Sequence, residues 1–224
     1  ELRVSLLFAT IFIPMGIHAP YFPLWLEFKG FGPEEIAVLL SAPLFLRVLT
    51  TPVITALADK ARDRADVYIA CVAATLLLSA GYFLPPTYVG VLAVSLAINL
   101  VWTPQSPLVD ALALSGVRRF GSQYPLMRSV GSFAFLCSNL AGGMILARAD
   151  AGLIPYMITG SLVLTLIASF AAPRLGKPRV ASPLSAASLQ ASGPMLFNPY
   201  FLFFVAGAGV INGSHGYMFA FISI

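Results

Sequence analysis

Charge is what this sequence has least of. Only 10% of its 224 residues are charged and 58% are hydrophobic, with a mean hydropathy of +0.88. Soluble globular domains carry about 25% charged residues, and disordered chains need a still more polar composition, so both classes are excluded. Cysteine is scarce too. Cys71 and Cys137 fall inside apolar runs at no spacing that suits a disulfide framework or a metal, and read as buried free thiols. Glycine-rich phosphate loops, paired metal-ligand histidines and a Ser–His–Asp set are all missing, so the chain reads as a non-enzyme with no cofactor and no metal. The excess of 13 Lys and Arg over 9 Asp and Glu lies in short clusters between apolar runs, a loop pattern that argues against nucleic acid as a partner.

What the sequence has instead is length in its apolar runs. A membrane crossing takes about 20 apolar residues, and seven runs qualify: 4–26, 36–58, 67–84, 88–114, 126–146, 153–172 and 200–224. The lipid partner fixes the fold class, because backbone polar groups in hydrocarbon must bond within their own helix. An all-α polytopic membrane protein follows. If the N-terminus is cytoplasmic, the inner side collects Arg3, Lys60, Arg62, Arg64, Arg118, Arg119, Arg128, Arg174, Lys177 and Arg179, and the outer side only Lys29 and Arg148. Basic residues favour the cytoplasmic side, so that orientation is expected, in a plasma membrane and most simply a bacterial inner membrane.

Three regions are expected. Residues 1–173 form a six-helix half, 174–198 a cytoplasmic linker rich in Pro, Ser and Ala, and 199–224 the first helix of a second half. The sequence starts at Glu1 and stops within an apolar run, which suggests a fragment of a longer chain. Gly16-Ile17-His18 in the first span is echoed by Gly213-Ser214-His215 in the seventh, an offset of 197 residues that suits one six-helix repeat.

Polar groups inside spans are costly and mark pathways or buried pairs. Helical periodicity puts His18, Tyr21 and Trp25 on one stripe, and Asn99, Trp102, Ser106 and Asp110 on another. Asn212 and His215 lie on a third. Such stripes can line a solute and proton pathway or can hydrogen-bond between helices only, and both readings stand. Arg47 keeps its charge, so it pairs with Asp110, contacts an anionic solute, or snorkels to another partner. Prolines at 14, 20, 23, 43, 52, 104 and 107 predict bends.

Leu57-Ala58-Asp59-Lys60-Ala61-Arg62-Asp63-Arg64 resembles the G-x-L-A-D-[RK]-x-G-[RK]-[RK] loop of the major facilitator superfamily. Asp59, Lys60 and Arg64 match, and the resemblance implies that they brace an inner gate together with Arg128. Thr55, Arg62 and Asp63 depart from the two glycines and one basic position. A narrower likeness is to the phenylpropionate permease-like and nucleoside–proton symporter-like branch. It is carried by Gly16 to His18 with Phe22 to Leu26, by Tyr124 to Asn139 with Arg128, Gly131 and Ser132, and by Ser214-His215 with Phe221 and Ser223. It implies a twelve-helix secondary transporter, working as a monomer, that moves a small organic solute with protons by alternating access. The solute could be an aromatic acid, a nucleoside or a sugar-like molecule. An exporter of the same fold is the rival reading, and a membrane enzyme or receptor is the rival from another class.

Overall fold

The computed structural model describes residues 1–176 and the helix 199–221, the side chains of that helix through residue 210. The chain divides into two compact units, Glu1–Lys177 and Pro178–Ile224. In the first unit the helices are α1 (Leu2–Phe28), α2 (Pro33–Lys60), α3 (Arg64–Ser79), α4 (Tyr88–Trp102), α5 (Gln105–Phe120), α6 (Tyr124–Leu146) and α7 (Ile154–Ser169). In the second unit, Pro199–Phe221 is α8. Six stretches of helix in the first unit are long and apolar enough to cross a membrane, and no strand occurs among the described residues.

The helix ends follow the local chemistry. Pro33 opens α2 with its ring φ already helical, and Glu35 accepts the Gly32 N–H at 2.9 Å. Asp63 caps α3 and Thr87 caps α4 through the Ala65 and Gly90 amides. Gly121, at φ +67°, closes α5 in a left-handed conformation that a side chain would strain, just beyond a last turn that carries Arg118 and Arg119.

The fourth span departs from the expectation of one helix over 88–114. It runs from Tyr88 to Phe120, 33 residues, and breaks into α4 and α5 at Thr103 and Pro104. Pro104 has no N–H to return to Leu100, and Pro107 has none for Thr103. Side chains take over at the break. Thr103 Oγ1 donates to the Asn99 carbonyl at 2.7 Å, and Gln105 Nε2 donates to Thr75 Oγ1 of α3, also at 2.7 Å.

Helix α1 is the spine of the unit, packed chiefly against α6 and α7. Thr165 of α7 donates to the Thr10 carbonyl at 2.8 Å. Against α6 the contact is close because the small residues sit where the helices meet. Gly16 faces Ser138 and the Phe135 carbonyl, Gly131 faces Phe8 and Phe12, and Gly142 and Gly143 lie under the Tyr21 ring. Without an aqueous hydrophobic drive between spans, such close van der Waals approach is what holds membrane helices together. One further expectation is corrected here. Cys71 is buried, but Cys137 is exposed, on the side of α6 that also shows Phe133, Leu136, Leu140 and Met144 outward.

Candidate functional site

Helix α1 carries polar and aromatic groups at two levels. At the first, the His18 ring stacks on Phe22 with centroids 4.4 Å apart and planes 15° apart, and meets Trp102 of α4 edge-on at 5.0 Å. The imidazole is half-buried, and neither ring nitrogen has a hydrogen-bond partner among the described residues. Offset and edge-to-face contacts suit the ring quadrupoles, so this imidazole is held by its faces while its nitrogens stay available. Asn99 stands one turn from Trp102, with its Nδ2 turned back to the Ser95 carbonyl at 3.0 Å. Two of the stripes expected from periodicity therefore meet, at His18 and Trp102.

The rest of the first stripe divides. Tyr21 turns to α6, where its hydroxyl donates to the Asn139 carbonyl at 2.7 Å. Trp25 is 1% exposed and lies between Phe22 and Tyr82 at 5.4 and 5.6 Å. It is a core residue rather than a pathway lining. The physical reason is that α1 has neighbours on several sides, so residues on one nominal stripe meet different helices.

The second level joins α1, α5 and α6. Tyr124 Oη donates to Asp110 Oδ1 at 2.9 Å, and its ring meets Phe8 edge-on at 6.3 Å. The Arg128 guanidinium lies over the Phe12 ring at 4.2 Å and near Phe8 at 5.7 Å, with Nη1 3.4 Å from Ser132 Oγ. Gly131 makes this possible, since a Cβ there would stand 2.9 Å from the Phe12 ring. Cation–π contact of this kind contributes about 0.5–2 kcal/mol, depending on desolvation. The short turn at Gly121 to Gln123 folds α6 back on α5 and so brings Tyr124 to Asp110. Tyr124 is the site residue that periodicity missed. Its signal was a tyrosine at the start of one span and an acid near the end of the preceding one.

Arg47 and Asp110 are not joined. Arg47 is exposed on α2, with no ion pair among the described residues, and the Asp110 carboxylate is engaged by Tyr124 instead. Beside Arg47, the Thr50 and Thr51 hydroxyls are buried without partners among the described residues. Ser106 is half-buried on the first turn of α5. In the loop after α2, Arg64 binds Asp59 through Nη2 at 2.7 Å, while Lys60 is exposed. Arg128 does not share that cluster: it reaches the α1 rings. Asn212 and His215 have side chains outside the described residues, as does 177–198 of the expected linker. No group of three or more His, Cys, Asp or Glu that could hold a metal occurs among the described residues. A hollow of about 400 Å³ near the C-terminal end of α1, lined by Trp25, Lys29, Tyr82 and Tyr156 among others, collects neither His18 nor Asp110.

A six-span helical unit whose polar and aromatic groups gather along one central helix defines a multi-pass membrane protein. The chain belongs to the MFS_1 like family, whose model matches residues 2–224. It is 28% identical over 180 residues to the Escherichia coli (strain K12) protein named "Probable 3-phenylpropionic acid transporter", covering 80% of this chain and 47% of that protein. Its fold resembles the crystal structure of the nucleoside transporter NupG, with a TM-score of 0.67 and 16% identity over 94% of this chain and 51% of NupG. The chain thus spans about half the length of the relatives it matches.

Proposed function

We propose that this chain forms the first half, the connecting segment and the seventh helix of a secondary active transporter. Its work is proton-coupled symport of a small organic solute by alternating access, in a bacterial inner membrane with the N-terminus in the cytoplasm. The observation that carries the reading is His18. Its ring is fixed by Phe22 and Trp102 while its nitrogens remain free of partners among the described residues. An imidazole can take up and release a proton at a ring nitrogen. A flat aromatic wall next to a proton-exchanging group suits a solute with a planar ring. The Arg128 guanidinium suits an anionic part of that solute. The names of the two relatives, one for an aromatic acid and one for nucleosides, fit the same solute class.

The test is uptake in proteoliposomes holding the complete protein, with phenylpropionate and uridine as probes. An inward proton gradient should drive accumulation of at least one, and an uncoupler should abolish it. Uptake that ignores the gradient would remove the proton coupling. Absence of uptake and of counterflow for both probes would remove the solute class.

A further inference from the structure

The loop between α2 and α3 holds a buried acid. Asp63 is 6% exposed although Lys60, Arg62 and Arg64 flank it in sequence. Its two carboxylate oxygens serve two distant segments. Oδ1 accepts the Ala65 N–H at 2.9 Å, which caps α3. Oδ2 accepts the Gly176 N–H at 2.8 Å, 113 residues further on. Gly176 has φ +70°, a left-handed conformation that glycine adopts without strain. Nearby, Arg174 and Asp66 form an ion pair at 3.3 Å, both well exposed. Exposed pairs contribute little, so the weight falls on Asp63. Arg64 is engaged with Asp59 and does not compete for it. A helix cap alone needs one acceptor oxygen, which Ser, Thr or Asn also supplies. The second oxygen is therefore the distinctive feature, and an aspartate stands here where the resembled loop motif carries a basic residue.

We propose that Asp63 is a strap. It fastens the start of the segment that leads from α7 towards α8 onto the α2–α3 loop, and makes the two one mechanical piece. Force arriving along that segment is then delivered to the first turn of α3 and the adjoining Asp59–Arg64 pair, rather than to the end of α7. This holds whichever solute the complete protein carries.

Hydrogen exchange on the complete protein in nanodiscs, resolved to single amides, tests the strap. Asp63→Asn keeps one carbonyl oxygen for the cap but presents an NH2 group to the Gly176 amide. The Gly176 amide should exchange about tenfold faster or more in this variant, with the Ala65 amide within about threefold of wild type. Asp63→Ala should release both amides, and Asp66→Ala neither. The proposal is overturned if Gly176 is as unprotected in the wild type as in Asp63→Ala, or if Asp63→Ala leaves Gly176 protected.

Discussion

Replacing Gly16 by alanine puts the close approach of α1 to α6 under direct strain. The added Cβ would stand 2.6 Å from the Phe135 carbonyl oxygen and would also collide with Ser138 Oγ. An ordinary C···O contact is about 3.3–3.6 Å, so α1 and α6 must part by roughly 0.7–1 Å at this level. A gap of that size forfeits about a quarter to a half of each affected dispersion contact. Overpacking of this kind costs about 1–3 kcal/mol, offset by the gain of about 0.8–1 kcal/mol in helix propensity from Gly to Ala. The net expectation is a loss of up to about 2 kcal/mol. Gly160 on α7 is the matched control, because a Cβ there meets nothing within 4 Å. Its replacement by alanine should be neutral or stabilising by up to about 1 kcal/mol. Denaturant unfolding of the purified protein reads both. Ser138→Gly should rescue Gly16→Ala only in part, since the Phe135 carbonyl is backbone and cannot rotate away. If Gly16→Ala raises stability as Gly160→Ala does, the close-packing argument is refuted.

The remaining predictions concern the polar groups. Arg47→Ala and Asp110→Ala should be additive within about 0.5 kcal/mol in a double-mutant cycle of stability, because the two residues share no partner. A coupling above about 1 kcal/mol would show a contact absent from this structure. Tyr124→Phe should lower stability by about 1–2 kcal/mol by removing the Asp110 donor, and an unchanged denaturation midpoint would show that Asp110 does not depend on it. His18→Gln keeps polarity but cannot titrate, so proton-driven accumulation should vanish while solute counterflow survives; unchanged pH dependence of accumulation places the relay elsewhere. For orientation, a cysteine at Arg118, with Cys71 and Cys137 replaced, should react with an impermeant thiol reagent in inside-out vesicles but not in intact cells. Labelling in intact cells would reverse the topology.

Much of the architecture was legible in the amino acids. The runs at 4–26 and 126–146 reappear as α1 and α6 with ends moved by about two residues, because apolar length and the helix rise set where a span stops. Periodicity set His18 and Trp102 on separate stripes, and the fold brings those two residues together. Periodicity places a residue on a face but does not say which neighbour covers that face. Trp25 was therefore read as lining a pathway when Tyr82 and Phe22 enclose it. Cys137 was read as buried when its side of α6 turns outward. The Arg47–Asp110 pairing failed for a related reason. Asp110 found a partner across a tight turn, 14 residues away in sequence, and a nearby hydroxyl satisfies a carboxylate without bringing a second charge out of water.

The unusual length of the fourth span has a consequence for where charge sits in depth. At about 1.5 Å per residue its 33 residues reach about 50 Å, against a hydrocarbon core of about 30 Å. Even with a bend at Pro104, the far turns of α5 must overhang the bilayer. Asp110 lies 22 residues beyond Tyr88, about 33 Å along the axis, and so stands near the headgroup boundary instead of the midplane. Arg128, one turn into α6, enters from that same boundary. An ionised side chain there meets water-like polarisation and pays far less than one in mid-bilayer. The chain can thus keep an acid and a guanidinium beside the α1 rings without an ion pair between them, with hydrophobic mismatch setting the depth.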